Sequence, residues 1–265
     1  MLGKDMNPPF TKHPWRLRDL SLSDVKKRKF EVAVLPMGAT EPHNFHLPYG
    51  TDALEVEAVA ERSSAAATKK GAKVVLLPTI PIGSNRSTMG FPLTLNLDHS
   101  TLFRIMEDVI ESLETHKIYK LVIINGHGGN YLRPSLKDMY GRTKVFLSLI
   151  NWWEVGSEIR PTIFVNKGEH ADEMETSVML YLYPELVNMK VAGKGTSKKS
   201  NLSGINERWV GIARPWHVVT SDSGHGDPHK ATSEKGRKYF SFTVKKIAEY
   251  LVELSRTPLS KAFPY

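Results

Sequence analysis

The chain has 265 residues, no cysteine, and a formal charge of +8 from 36 Lys and Arg against 28 Asp and Glu. The length suits one large domain or two small ones, and 40% hydrophobic with 24% charged residues excludes a disordered chain. The missing thiols exclude disulfides, thiolate zinc sites, iron–sulfur clusters and cysteine nucleophiles, which leaves ten histidines and 28 carboxylates as strong metal ligands.

Residues 31–37, EVAVLPM, form an apolar run closed by Gly38 and predict a buried strand. Residues 52–68 carry Leu54, Val56, Val59 and Ala60 among glutamates behind Asp52, which predicts a helix that stops at Lys69-Lys70-Gly71. A second strand is predicted over 73–77, ended by Pro78. A second helix follows over 99–116, with Leu102, Ile105, Met106, Val109, Ile110 and Leu113 at spacings of three and four. Residues 120–124 predict a third strand, 130–142 a helix and 145–150 a fourth strand, while 193–208 reads as a long loop. This alternation implies a parallel sheet covered on both faces. Ligands bind beyond the carboxyl ends of such strands, so the loops at 38–52 and 125–130 are where chemistry is expected.

No apolar run reaches the ~18 residues of a membrane helix, and the first twenty residues lack the apolar core of a secretory signal. A cytoplasmic protein without a membrane partner is the expectation. The densest positive runs, at 26–29, 198–199 and 235–238, have no interleaved aromatics. They read as solvated surface, so no nucleic-acid partner is expected.

The loop after the first strand offers Glu41, His43, His46 and Asp52. Glu41 and His43 are two apart and point the same way on an extended segment. Asp52 heads the next helix, as an anion favoured by the helix dipole or as an N-cap. Imidazole with carboxylate suits zinc, manganese or iron(II), and a carboxylate can bridge two ions about 3.5–4 Å apart. After the third strand, NGHGGN places His127 among glycines that allow close backbone approach. It lacks both the P-loop lysine and GxGxxG, which argues against a nucleotide site. A third cluster holds Glu169, His170, Asp172, Glu173 and Glu175. His170 and Glu173, three apart, share a helical face if the helix has begun there, and could supply one metal ligand and one proton-transfer group. His225-Gly-Asp227-Pro-His229 reads as a turn. His13, His99, His116 and His217 read as isolated surface or packed side chains, and Trp152 and Trp153 as core, interface or substrate wall.

With these clusters placed, the chain resembles the creatininase (creatinine amidohydrolase) family. LPMGATEPHNFHLPYGTD is similar to LPxGxxEQHGxHLPxxTD, VIINGHGGN carries NGHGGN, GEHADEMETSVML resembles HAGExETSxML, and SGHGDPHKATSEKG resembles GxxGDPxxAxxEKG. The four motifs run in family order over residues 35–236. The resemblance implies a three-layer α/β/α sandwich with a mainly parallel sheet, related to Rossmann-like folds, as one domain over 1–265. It also implies a homo-oligomer, often a hexamer. The implied activity is metal-dependent hydrolysis of a C–N bond in a small or cyclic, creatinine-like amide, and the family also contains formamide hydrolases and peptide-processing enzymes. The alternative of another class is a non-catalytic metal- or ligand-binding protein on this scaffold.

The resemblance further implies two divalent ions, zinc and/or manganese, with iron as a further option. Glu41 and His127 hold one, His43 the other, and Asp52 bridges them. Creatininases proper carry a glutamate two residues after the motif histidine, where this chain has Gly129. Members with GHGG carry a glutamate in the third motif, which assigns Glu173 to the second metal, with Glu175 as the other choice or as a partner behind the ligands. His170, oriented by Glu175, is the implied proton donor to the leaving nitrogen. Asn166 and Lys167 stand where creatininases proper have Trp-Asp, and Pro42 and Asn44 replace the usual Gln and Gly.

Overall fold

The computed structural model describes residues 12–265. The four apolar runs form strands β1 (Val32–Met37), β2 (Val74–Leu76), β3 (Lys120–Asn125) and β4 (Phe146–Asn151). All pairings are parallel, in the spatial order β2-β1-β3-β4. The longer helices are α1 (Thr51–Lys69), α2 (His99–Thr115), α3 (Arg133–Met139), α4 (Glu173–Leu182) and α5 (Ser233–Arg256).

Successive strand side chains point to opposite faces, and here both faces are covered. Val32, Val34, Val122 and Ile124 pack with Val56 and Val59 of α1, Val178 of α4 and Ile247 and Leu251 of α5. Ala33, Leu35, Leu121 and Ile123 meet Leu102, Met106, Ile110 and Leu113, the apolar stripe of α2. Each such large side chain contributes roughly 1.5–3 kcal/mol by leaving water. The result is the α/β/α sandwich read from the sequence. Lys120, at the start of β3, donates to the carbonyls of Leu254 and Thr257 at 2.7 and 2.6 Å, tying the sheet to the last turn of α5.

The strand order reverses between β1 and β3, whose carboxyl ends are level because Met37 pairs with Asn125. The loops after these two strands therefore open side by side, at the switch point where parallel sheets bind ligands. Gly126 is the hinge of that arrangement. A Cβ there would lie 2.7 Å from Val56 Cβ and 2.8 Å from the Asp52 carbonyl oxygen, so only glycine lets the β3 loop cross the first turn of α1.

One boundary differs from expectation. Asn130 was expected inside a helix, but α3 begins at Arg133. The Asn130 side chain instead bonds the Ser84 amide at 3.0 Å, Asn125 Oδ1 at 2.9 Å and the Gly38 carbonyl at 3.3 Å, locking the two loops together. Residues 193–208 are irregular apart from one turn at Ser203–Asn206. Among the described residues, no helix is long and apolar enough to cross a membrane.

Candidate metal centre

Six side chains from three loops and two helices meet above the β1–β3 crevice. Ligand atoms of Glu41, Asp52 and His127 lie within 4.8 Å of one another, as do those of His43, Asp52 and Glu175 and those of Glu41, His43 and His170. Asp52 belongs to the first two groups. Its own helix leaves it free to do so, because α1 starts at Thr51 with Gly50 as N-cap and no side-chain cap. All six are buried or nearly so.

Each of the three cluster histidines has one ring nitrogen on a backbone carbonyl and turns the other toward a carboxylate. A carbonyl only accepts, so the nitrogen facing it carries the hydrogen. His43 Nδ1–H donates to the Glu41 carbonyl at 3.0 Å, which leaves Nε2 facing Asp52 Oδ1 at 3.0 Å. His127 Nε2–H donates to the Ser84 carbonyl at 3.1 Å, which leaves Nδ1 at 2.9 Å from Asp52 Oδ2 and 3.1 Å from Glu41 Oε1. His170 Nε2–H donates to the Pro42 carbonyl at 2.9 Å, and its Nδ1 is 3.8 Å from Glu41 Oε1. A neutral ring thus turns a lone pair toward carboxylate oxygens, and Asp52 Oδ2 is buried without a hydrogen-bond partner. Lone pairs held this close in a buried site call for a shared cation. Outer hydrogen bonds of this kind are also what orient metal-ligating histidines. The residues present therefore fit divalent metal coordination.

Without metal, protons take that place. Burial pulls the His43 imidazole down, but the carboxylate of Asp52, with Glu175 and Glu41, lifts it to about 9. His127 is raised well above its ordinary value in the same way, by Glu41 and Asp52 against burial. Burial pushes Glu175 up to about 8, with the Asp172 and Asp52 charges adding and His43 opposing. Glu41 is held at about 2, because the charges of His127 and His170 outweigh its burial. His170 goes the other way, to about 4, through burial and the neighbouring His43 charge.

The raised values of His43 and Glu175 mean that metal-free folding is stabilised by their protons. For His43 that stabilisation is complete below 6.5 and lost as pH rises through about 9, and for Glu175 it is complete below 4.5 and lost through about 8. Metal-stripped protein is thus expected to melt several degrees lower at pH 9 than at pH 6.5. Protein loaded with Zn²⁺ or Mn²⁺ should hold or gain over the same interval, because the ions displace those protons. Parallel melting curves for the two forms would contradict a shared-cation site.

The structure corrects two expectations. Glu173 does not face the cluster. Its fully buried carboxylate accepts from the amides of Val165 and Asn166 at 3.0 and 2.7 Å and pairs with Lys235 Nζ. The reason is helical phase. Asp172 is the N-cap of α4 and accepts from the amides of Met174 and Glu175, so His170 precedes the helix and does not share a face with Glu173. Glu175, two residues further on, reaches the cluster instead. The orienting partner of His170 is likewise the Pro42 carbonyl, while Glu175 accepts from the Ala171 amide. Ala171 has φ 49°, an uncommon value for a residue with a Cβ. The pairing of His170 with His225 backbone on one side and the α4 cap on the other hold it there.

Gly129 has a steric role. A Cβ there would lie 2.3 Å from His127 Nε2 and 2.5 Å from the Ser84 oxygen, so no side chain fits without displacing His127. His46 is turned away, onto Thr176 Oγ1 at 2.8 Å. Asp227 and His229 pair with each other at 2.6 Å in the exposed turn that the sequence predicts.

A cavity of about 660 Å³ opens over the cluster. Trp153 lines it, whereas Trp152 is core. His99 lines it too, against the reading of an isolated histidine, and contacts Ser84 Oγ at 3.3 Å and the Gly129 carbonyl at 3.1 Å. Arg214 and Trp216, at the entry to the Trp216–Val219 turn, form part of the wall. No local sequence signal marks these last two, or the Pro42 and Ser84 carbonyls.

A family model described as Creatininase: Creatinine amidohydrolase matches residues 18–251. A creatinine amidohydrolase of Pseudomonas putida is 32% identical over 178 residues, 60% of this chain and 66% of that relative's length. A mycofactocin precursor peptide peptidase of Mycobacterium ulcerans (strain Agy99) is 29% identical over 80% of each chain. The crystal structure of a candidate creatinine amidohydrolase from Bacteroides fragilis NCTC 9343 superposes with a TM-score of 0.87 at 36% identity, over 95% of this chain and 100% of that one. A solved manganese creatininase shares the fold, with a TM-score of 0.74 at 24% identity over 92% and 99% of the chains.

Proposed function

The chain belongs to the creatininase family, and on that premise we propose that it is a dinuclear metal-dependent amidohydrolase that cleaves an amide C–N bond with water. Glu41, Asp52 and His127 would hold one ion and His43, Asp52 and Glu175 the other, with Asp52 common to both sets. The observation that carries this is the shared orientation of the three histidines, each with its proton outward on a carbonyl and its lone pair inward toward carboxylates. The oxygen and imidazole donors suit zinc or manganese, with iron a further option.

Two such ions supply Lewis acidity at the amide oxygen and lower the pKa of attacking water toward neutrality. The residues do the rest. His170, fixed by Pro42 and packed between the rings of His43 at 4.2 Å and Trp216 at 5.2 Å, presents Nδ1 to the cavity. There it accepts a proton from water and returns it to the leaving nitrogen, a contribution of roughly 10²–10⁴ in rate. Glu41, 3.8 Å from Nδ1, steadies the ring while it is charged.

The substrate in this reading is a small or cyclic, creatinine-like amide. A formamide or peptide-processing activity is the second reading. The cavity of about 660 Å³ has room for a drug-sized ligand, so its size admits substrates larger than a formamide. The same proposal includes one catalytic domain over 1–265, a cytoplasmic location and, from the family resemblance, a homo-oligomer of the hexameric kind.

Stripping the protein with a chelator should abolish hydrolysis across a panel of creatinine, formamides, lactams and short peptides, and Zn²⁺ or Mn²⁺ should restore it. Full activity in metal-free protein would sink the proposal. Stoichiometric metal without turnover of any substrate would favour a binding protein.

A further inference from the structure

Three arginines line the cavity. Arg160 is committed to structure, donating to Asp172 Oδ2 at 2.8 Å and the Gly168 carbonyl at 3.1 Å. Arg214 is not. Its guanidinium carbon lies 4.7 Å from the Trp216 ring centroid, a cation–π contact that holds the group at the cavity wall. Glu169 pairs with it at 3.1 Å but also takes Arg208 at 2.8 Å. One carboxylate between two guanidiniums leaves a positive charge to spare. The Trp216 ring also meets His170 at 5.2 Å. Arg214 is therefore one ring removed from the proton-transfer histidine, a distance that two or three extended residues span.

Arg86 enters from the neighbouring wall. Its segment packs against the Trp216–Val219 turn, with His217 seated over Gly90. Its partner is Asp98 at 2.6 Å, and both side chains are more than half exposed, so the pair is weak and exchangeable. Two guanidiniums thus face a cavity whose floor is the metal centre, held ready for a planar anion.

We infer that Arg214 and Arg86 form a carboxylate-binding subsite. The substrate is an amide with a free carboxylate a short span from the scissile bond, either an N-acylated amino acid or the C-terminal end of a peptide. The inference rests on the amidohydrolase reading for the reaction, but the subsite can be tested without it.

The probes are N-benzoylglycine against its primary amide, and Ala-Ala-Phe against its C-terminal amide. Binding is measured by calorimetry on the metal-stripped full chain, where no ion can capture a carboxylate, and kcat/KM on the Mn²⁺-loaded chain. The free acid of at least one pair should bind about tenfold tighter than its amide. Arg214→Gln and Arg86→Gln should each shrink that ratio, while Arg104→Gln, on α2 outside the cavity, should keep it. A preference in the benzoylglycine pair identifies the small-molecule source, and one in the tripeptide pair identifies the peptide terminus. Both support the subsite. Equal affinities within both pairs, or a ratio intact when both arginines are replaced, overturn it. A preference with no hydrolysis after metal loading removes the amidohydrolase reading alone, and hydrolysis without preference removes the subsite alone.

Discussion

Asp52→Asn is expected to cost both metal positions and to lower amide hydrolysis by on the order of 10³-fold or more, the scale set by losing one buried electrostatic contact to developing charge. The argument is geometric. Asp52 Oδ1 faces His43 Nε2 at 3.0 Å and Oδ2 faces His127 Nδ1 at 2.9 Å, so one carboxylate serves both halves of the cluster. An amide in its place turns an NH₂ toward one of those lone pairs and removes the charge between them. Metal content by mass spectrometry should fall for both ions together. A variant that keeps two ions and wild-type turnover would remove Asp52 as the bridge. The fold should survive, because Asp52 makes no capping bond to α1.

The second large effect separates two neighbouring glutamates. Glu175→Gln should lose one of two ions and most activity, on the order of 10²–10³-fold. Glu173→Gln should keep both ions but lose about 1–3 kcal/mol of stability, because its carboxylate accepts two backbone amides and pairs with Lys235. Metal analysis beside denaturant melts reads both outcomes. Metal loss from Glu173→Gln, with Glu175→Gln intact, would reverse the assignment. Gly129→Glu offers no rescue of Glu175→Gln, since a Cβ at 129 collides with His127.

The contrast between these two residues shows how far the linear pattern reaches. Both lie in one acidic run, and the family resemblance points to Glu173 with Glu175 as the other choice, while the spacing of three from His170 puts Glu173 on its face only if the helix has begun there. The helix starts at Glu173 rather than earlier, its first turn pinned by the Asp172 cap and by Arg160 on Asp172. That start sets the phase, and the phase points Glu175 inward. Arg160 and the 165–166 amides that decide the matter carry no signature of their role. His99, Arg214 and Trp216 were equally silent: His99 reaches the cavity through Ser84 and the Gly129 carbonyl, and the Trp216–Val219 turn is placed by packing against the 86–88 turn.

The sequence by itself determined the parallel sandwich, because strands buried on both faces must be apolar throughout and the helix stripes must match them. It also determined the kinds of ligand and their two loops, because a chain without thiols has only imidazole and carboxylate to offer and these cluster at strand ends. Only the tertiary structure decided which glutamate joins the cluster, which nitrogen each histidine turns inward, and which arginines line the cavity. Those choices rest on helix phase and on the Glu41, Pro42 and Ser84 carbonyls. A backbone carbonyl is the same chemical group at every position, so only its place in space gives it a role.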